Sequence, residues 1–416
     1  MAEVDPFQQN LKRMIEQYNL SSAQLYNFDE TGLLYRKLPE NTLASNYDDF
    51  EKEKKLCKER LSALLCSNAN GSHRLKAVIV GKSQKPCALK TYLHPLPVHY
   101  YHNAAAWFTR DMVEEWFFKC AEPEIRRFQI DVLKILPDDV CALILMDKAL
   151  AHPDCHSLSS RDGRIKCLAI PRNMSLAQPM EQGIILTTKR LYRKKFLDEV
   201  LVLPDETANE DFNNRRPSAL ANMKHYNLKA AIYNFSDAWR DVTQATLANA
   251  WKRLLNNSDV HWEMEGIEAT DFLKALTTAG ETEVTEASVL AWLEEDEADP
   301  GYPMLSEEQI VKEVLQAHGD GAPQAESDEE MVERKGFQLS TIRNHCDNIL
   351  GYIDSSGDPA VQDYYEQFRN FRQIIIRRQQ RSASQMTVND FFTARSAIPP
   401  PASSAETVPE DAIDCS

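Results

Sequence analysis

From Val140 to Met146 the chain reads Val-Cys-Ala-Leu-Ile-Leu-Met without a charged or amide side chain, and it stops at Asp147. Pro137, Asp138 and Asp139 bound the run on one side, and His152 and Pro153 on the other. An apolar run of this length between turn residues reads as a strand buried on both faces. Asp147 then stands at the carboxyl end of that strand, where open α/β sheets keep their ligands. An aspartate that ends a strand and caps the next turn would occupy the same place.

The chain is long enough for two or three domains with a sizeable core, at 416 residues. Apolar residues make up 43% and charged residues 26%, ordinary for a soluble globular protein. No apolar run approaches a membrane span, and the first residues carry no signal-peptide core. The nine cysteines are scattered without a CxxC pair. That argues against a zinc finger or a secreted disulfide framework, and for a reducing compartment. A net charge of −16 repels nucleic acid overall, so any DNA contact must come from a local basic patch.

Residues 6–20 have helical spacing, with Phe7, Leu11, Met14 and Ile15 on one face. In the strand that follows, Leu25, Asn27, Asp29 and Thr31 share one face, and Tyr26, Phe28 and Glu30 the other. A mid-strand carboxylate such as Asp29, flanked by bulky side chains, is costly unless paired or bound to metal. Residues 60–66 and 75–81 read as two more strands, with Asn70-Gly71 as the hairpin signal. Residues 106–136 read as helical, with an apolar stripe through Trp107, Met112, Val113, Trp116, Phe117 and Cys120. Pro123 is expected to break that stretch into two helices. After a strand at 165–170, Pro179 suits the first turn of a helix running to about Leu203, with Glu181 in that turn near the positive helix end. The helix then turns basic through Lys189, Arg190, Arg193, Lys194 and Lys195. A solvated face and a DNA-backbone contact are equally good readings of it.

Three antiparallel strands, helix, strand, strand, helix is the plan of a ribonuclease H-like core. It carries acids at 29, 147 and 181. Three clustered carboxylates cannot all stay ionised without cations. Two divalent cations can activate a water and stabilise the leaving oxygen of a phosphodiester.

At these residues the chain resembles the DDE transposases of the pogo/Tigger/jerky group. The stretch from Tyr26 to Leu33, reading Tyr-Asn-Phe-Asp-Glu-Thr-Gly-Leu, is similar to that group's first acidic block. The stretches 68–71, 80–83 and 106–109 are similar to its intermediate blocks. The stretch from Leu145 to His152 resembles its second acidic block, and that from Gln178 to Ile184 its third. The similarity covers roughly residues 6–205 and continues more weakly through 232–239 and 250–253. It implies an endonuclease domain at 1–205, with Asp29, Asp147 and Glu181 holding Mg²⁺ or Mn²⁺, DNA as partner and the nucleus as location. It implies a site-shaping role for His152, which also reads as a cap on the turn before Pro153. Glu30 matches the first block, but alternation points it away from Asp29, toward a structural role.

Three departures stand out. Glu181 replaces the group's usual Asp. Lys148 replaces the Asn after the second Asp, and an ammonium there is expected to compete with the cation. Family members carry helix-turn-helix domains before the core, whereas this chain starts almost at the core. That reads as a fragmentary gene model or as a domesticated descendant without target recognition.

Residues 206–317 are expected to be an α-helical region packing on the core, with one strong helical stretch at 228–255 and helices at 285–293 and 306–317. Residues 318–336 read as an acidic linker. Residues 337–380 read as a helical hairpin, used for packing or for a homodimer. Residues 381–416 read as a disordered tail. Within it Gln385, Val388, Phe391 and Phe392 resemble the peptide that docks on the replication sliding clamp PCNA, after a basic Arg377–Arg381 stretch that is a weak nuclear-import signal. A DNA-binding, transposase-derived protein that keeps two-metal cleavage is one expectation. An inactive interaction protein acting through its C-terminal helices is the other.

Overall fold

The computed structural model describes residues 6–40, 42, 59–90, 92, 94–149, 152–201, 222, 223, 225–256, 264–295, 299, 301 and 339–393. At its centre is a six-stranded sheet of β1 (Leu25–Leu34), β2 (Arg60–Asn68), β3 (Val78–Gly81), β4 (His99–His102), β5 (Ala142–Met146) and β6 (Ile165–Ala169). The order across the sheet is β4-β3-β2-β1-β5-β6. β1, β2 and β3 are antiparallel neighbours. β5 runs parallel to β1, β6 parallel to β5, and β4 parallel to β3. All five residues of β5 are buried, as its unbroken apolar run requires.

Alternation along β1 divides the interior. Tyr26 and Phe28 face a cluster with Trp116, Phe117, Val113 and Ile144. That face is covered by α2 (Arg110–Trp116) and α3 (Glu122–Asp131). Leu33 faces the opposite cluster with Tyr192, Phe196, Ile232 and Phe235, supplied by α4 (Ile184–Val200) and α5 (Leu228–Asp241). A third cluster seats α1 (Pro6–Gln17), through Phe7 and Leu11, against Leu143, Leu145 and Trp251. Each large apolar side chain buried in this way contributes about 1.5–3 kcal/mol relative to exposure.

Several expectations change. Pro123 does not split the helix in two. The segment Phe117–Ala121 is one π-helical turn, in which the Glu122 N–H donates to the Phe117 carbonyl, and Pro123 enters the first turn of α3, where its missing N–H costs little. β4 is an edge strand of the pattern His-Tyr-Tyr-His, half-buried over its first three residues and exposed at His102, so no apolar alternation announces it. The stretch 228–255 is three helices, α5, α6 (Gln244–Asn249) and α7 (Lys252–Asn256), because the Thr243 hydroxyl accepts from the Thr246 N–H and restarts the chain. Glu181 is not in the first turn of α4. It closes a separate 3₁₀ turn, Pro179–Glu181, and Gly183 at φ 86° re-aims the chain before α4 begins.

Helices α8 (Ala269–Thr278) and α9 (Glu286–Glu294) pack together. The helical hairpin at the carboxyl end pairs α10 (Leu339–Ser355) with α12 (Tyr365–Thr393), and the short α11 (Pro359–Gln362) lies between them in the chain. The hairpin is held to α4 and α5 by buried cations. Arg343 donates to the carbonyls of Glu199 and Leu201. Arg369 meets Asp237 at 2.6 Å and Asn234 at 2.9 Å. Lys229 pairs with Asp354, its ammonium 4.0 Å from the Tyr92 ring centre and 3.3 Å from that of Tyr365. Tertiary packing is thus the hairpin's use in this fold. The backbone of α12 stays helical through Thr393, so the expected disordered tail does not begin at 381, and Gln385, Val388, Phe391 and Phe392 fall on helical backbone. The expected linker 318–336, the helix 306–317 and residues 394–416 lie outside the described residues.

Candidate active site

Asp29 sits in the middle of β1, 5% exposed, its Oδ1 accepting the Glu30 N–H at 2.9 Å. The parallel pairing of Asn27 with Leu145 brings Asp147, two residues on, alongside Asp29. The third acid arrives through Asn27. Its Oδ1 accepts the Met180 N–H at 2.8 Å and its Nδ2 donates to the Leu145 carbonyl at 3.0 Å, so one buried amide ties β1, β5 and the 3₁₀ turn together. Gln178 adds a longer bond to the Phe28 carbonyl, at 3.5 Å. Glu181, one residue past Met180, then shares a hydrogen bond with Asp29. The sequence does not assign Asn27 this clamp. Its place on the Asp29 face, two positions back, was the available signal.

Burial, followed by the charges of Glu181, Asp147 and Glu30, pushes the Asp29 carboxyl well above the usual carboxylate range. A buried acid among three others is unfavourable as it stands and becomes favourable around cations. An all-oxygen donor set suits hard divalent ions such as Mg²⁺ or Mn²⁺, so these residues fit the metal chemistry expected of them.

His152 joins this group from the loop after β5. Its ring is 4% exposed. Nε2 lies 2.7 Å from Glu30 Oε2. Nδ1 lies 2.7 Å from Asp147 Oδ1 and 3.1 Å from the Asp147 carbonyl. Burial alone would lower its pKa, but the Glu30 charge and hydrogen bonds to Asp147 and Glu30 prevail and hold the imidazole well above its ordinary range. Glu30 does face away from Asp29, as alternation requires, yet through His152 it reaches Asp147. Lys148 is exposed, and its charge acts on Asp154. The groups that act on Asp29 are carboxylates.

Two further features border the site. Asp299 and Gly301 lie against β1. Gly32 N–H donates to the Asp299 carbonyl at 2.8 Å, Arg60 forks onto the Asp299 carboxylate, and the Ser62 hydroxyl donates to the Gly301 carbonyl at 2.8 Å. Beyond His152, Asp154, Cys155 and His156 bring one ligand atom each within 4.8 Å of one another, and Asp154 Oδ1 already accepts the His156 N–H.

The basic run of α4 is neither a solvated face nor a free DNA-facing stripe. Lys189 is 1% exposed. Arg190 donates to the Ile267 carbonyl at 3.3 Å, and Lys194 to that of Gly266 at 2.8 Å. Arg193 donates to the Trp292 carbonyl beneath its own indole, and Lys195 pairs with Asp241 at 2.7 Å. Arg190, Arg193 and Lys194 fasten the α8–α9 region to the core, and Lys195 ties α4 to α5.

Comparison with known proteins is consistent with this architecture. Residues 58–251 match the family model described as DDE superfamily endonuclease, a span that holds Asp147 and Glu181. The chain is 39% identical to human Tigger transposable element-derived protein 7 over 94% of its own length and 69% of that protein's. It is 32% identical to the human Jerky protein homolog over 58% of the chain and 39% of the relative. It is 31% identical to mouse Tigger transposable element-derived protein 4 over 55% of the chain and 39% of the relative. No solved structure matches. A mixed α/β sheet, a family match across its centre and a relative aligned along nearly the whole chain give one conclusion: the chain belongs to the DDE superfamily endonuclease family, among its Tigger- and jerky-type, transposon-derived members.

Proposed function

We propose that this chain is a nuclear, DNA-binding member of its family that keeps divalent-metal phosphodiester cleavage, with Asp29, Asp147 and Glu181 holding Mg²⁺ or Mn²⁺. The observation that carries this reading is the grouping of acids around Asp29, although oxygens of the three do not all lie within 4.8 Å of one another. The buried Asp29 carboxyl hydrogen-bonds with Glu181 and feels the charge of Asp147, although the three acids come from two strands and a separate turn. A ribonuclease H-like core at 1–205 is supported by the run β3-β2-β1-β5-β6, with the first three antiparallel and the last two parallel to β1.

Bound there, a pair of cations would supply an activated water and a stabilised leaving oxygen for an in-line displacement. The chain's own part is positional. Asn27 clamps the turn that carries Glu181, the β1–β5 register sets Asp147 beside Asp29, and the buried end of β1 keeps bulk water from Asp29. Lys148 is exposed, and the charges that act on Asp29 are those of carboxylates. Arg190, Arg193 and Lys194 are hydrogen-bonded to backbone carbonyls and Lys195 is paired with Asp241, so DNA contact depends on other basic groups.

The test is a Mn²⁺ titration by calorimetry on the native chain, with Asp147→Asn and Lys148→Asn beside it, followed by nicking of supercoiled plasmid. Binding by the native protein that Asp147→Asn abolishes is the expected result, with Lys148→Asn little different from native. No Mn²⁺ uptake by the native protein would overturn the reading.

A further inference from the structure

Glu30 is a carboxylate whose side chain is fully enclosed, on the face of β1 opposite Asp29. Oε2 has one partner, His152 Nε2 at 2.7 Å. Oε1 is buried with no hydrogen-bond partner among the described residues. Enclosing a carboxylate with so few partners is costly on general grounds, and an apolar side chain of similar size holds a core at least as well. A purely structural reason for Glu30 is therefore weak. Its location is specific: the His152 ring spans the gap from Glu30 to Asp147, shared at its far nitrogen between the carboxylate and the carbonyl of that one residue.

The parts around this pair leave it little freedom. The Phe28 ring meets His152 edge-on, with centres 5.5 Å apart, and Phe28 is backed by Trp116 at 5.1 Å. Gly301 closes over Glu30 so tightly that a Cβ on it would stand 3.1 Å from the Glu30 Cβ. Asp147, by contrast, lies just past the end of β5 with its side chain 22% exposed. Backbone pairing of β5 with β1 covers Leu143 to Leu145 and stops short of it. Among the described residues the His152 ring is the ion-pair partner of its carboxylate, Nδ1 standing 2.7 Å from Oδ1 while its hydrogen bond goes to the Asp147 carbonyl.

We propose that Glu30 is a positioning residue: it fixes the ring of His152, and His152 holds the Asp147 carboxylate turned toward Asp29, so that the site is preformed for a divalent cation. This rests on the metal-binding reading given above. Metal-binding side chains are commonly oriented by an outer layer of hydrogen bonds, whose loss weakens metal binding by about 10- to 100-fold. Here that layer has two members in series, so the effect of Glu30 must pass through His152.

The series arrangement makes the test specific. Mn²⁺ affinity is measured by calorimetry on the full chain, well below each variant's melting temperature. Glu30→Gln, nearly isosteric, should weaken binding about tenfold, and His152→Ala by at least as much. The double variant Glu30→Gln/His152→Ala should be no weaker than His152→Ala alone, since serial contributions do not add. His152→Asn, whose amide can still donate to Asp147, should recover affinity to within a few-fold of native. Should His152→Ala not fold, His152→Asn takes its place in the cycle. A Glu30→Gln protein with native Mn²⁺ affinity and only a lower melting temperature would make the pair a fold staple and overturn the positioning role. Additive losses would overturn it too. If the native chain binds Mn²⁺, Asp29→Asn abolishes binding and Glu30→Gln changes nothing, positioning fails while the metal site stands. If the native chain takes up no Mn²⁺, both fail.

Discussion

Gly32 and Asp299 touch so closely that only a glycine fits between them. The Gly32 N–H donates to the Asp299 carbonyl at 2.8 Å, and a Cβ at Gly32 would fall 2.1 Å from the carboxyl carbon of Asp299. That carboxylate cannot simply swing aside, because Arg60 grips it with two nitrogens while its own ring-stacked position over Trp107 holds the guanidinium in place. The glycine of the Asp-Glu-Thr-Gly block is explained by a residue far along the chain. Gly32→Ala should cost about 1–3 kcal/mol, the usual range for overpacking, seen as a lower urea midpoint with an unchanged slope. Asp299→Ala combined with it should recover part of the loss.

Asp29 sets a second expectation. A carboxyl whose pKa is raised by folding keeps its proton in the native state after the unfolded chain has released it. Its contribution therefore turns unfavourable as pH climbs past about 4. At pH 7 without metal, Asp29→Asn should raise the melting temperature by about 1 °C, the shift that roughly 1 kcal/mol gives in a chain of 416 residues, while abolishing stabilisation by added Mn²⁺. A variant that melts lower than native without metal would contradict the placement of Asp29 among like charges.

His73 behaves in the opposite sense. Its ring stacks on Phe128 at 4.0 Å, and Nδ1 lies 2.9 Å from the Tyr26 hydroxyl, which donates to the neutral ring. Burial lowers its pKa to about 4. The unfolded chain then binds the extra proton between about 6.5 and 4, so stability falls as pH drops through that window. The loss attributable to His73 is on the order of 2–3 kcal/mol. Urea denaturation at pH 7 and pH 4.5 should show a smaller difference for His73→Gln than for the native chain.

Arg193 tests the reassignment of the basic helix. Its guanidinium lies 4.5 Å from the Trp292 ring centre, donates to the Trp292 carbonyl and is 3% exposed. Arg193→Ala should cost about 2–4 kcal/mol by leaving that carbonyl unpaired and a void beneath the indole. Binding to random-sequence duplex, measured where both proteins are folded, should be unchanged within error. A selective loss of DNA affinity with native stability would restore the nucleic-acid role of this helix.

What could be read before folding follows from how each signal is written in the chain. The Val140–Met146 run could be read because a strand buried on both faces needs nothing but apolar residues. Alternation placed Asp29 and Glu30 on opposite faces of β1, but it carries no information about a histidine that crosses the sheet's end, and the link to Asp147 stayed hidden. The edge strand His99–His102 is polar and half-buried up to its exposed last residue, so its periodicity was silent. Charge density along α4 was legible, but its direction was not, because the carbonyls that absorb those cations belong to a region some seventy to a hundred residues later. Pro123 looked like a break because local rules assume an α-helical hydrogen-bond register, which the π turn shifts by one residue.

The Asp299–Gly301 contact with β1 also bears on synthesis. Strand β1 leaves the ribosome roughly 270 residues before the residues that close over Glu30 and Gly32. At about 5–20 residues per second the wait is roughly 15–50 s. For that interval the face of β1 carrying Glu30 lacks its final cover, and the nascent chain exposes a buried carboxylate and a strand of ten residues beside it. A chaperone that shields extended apolar segments would find its binding site here and lose it once residue 301 arrives.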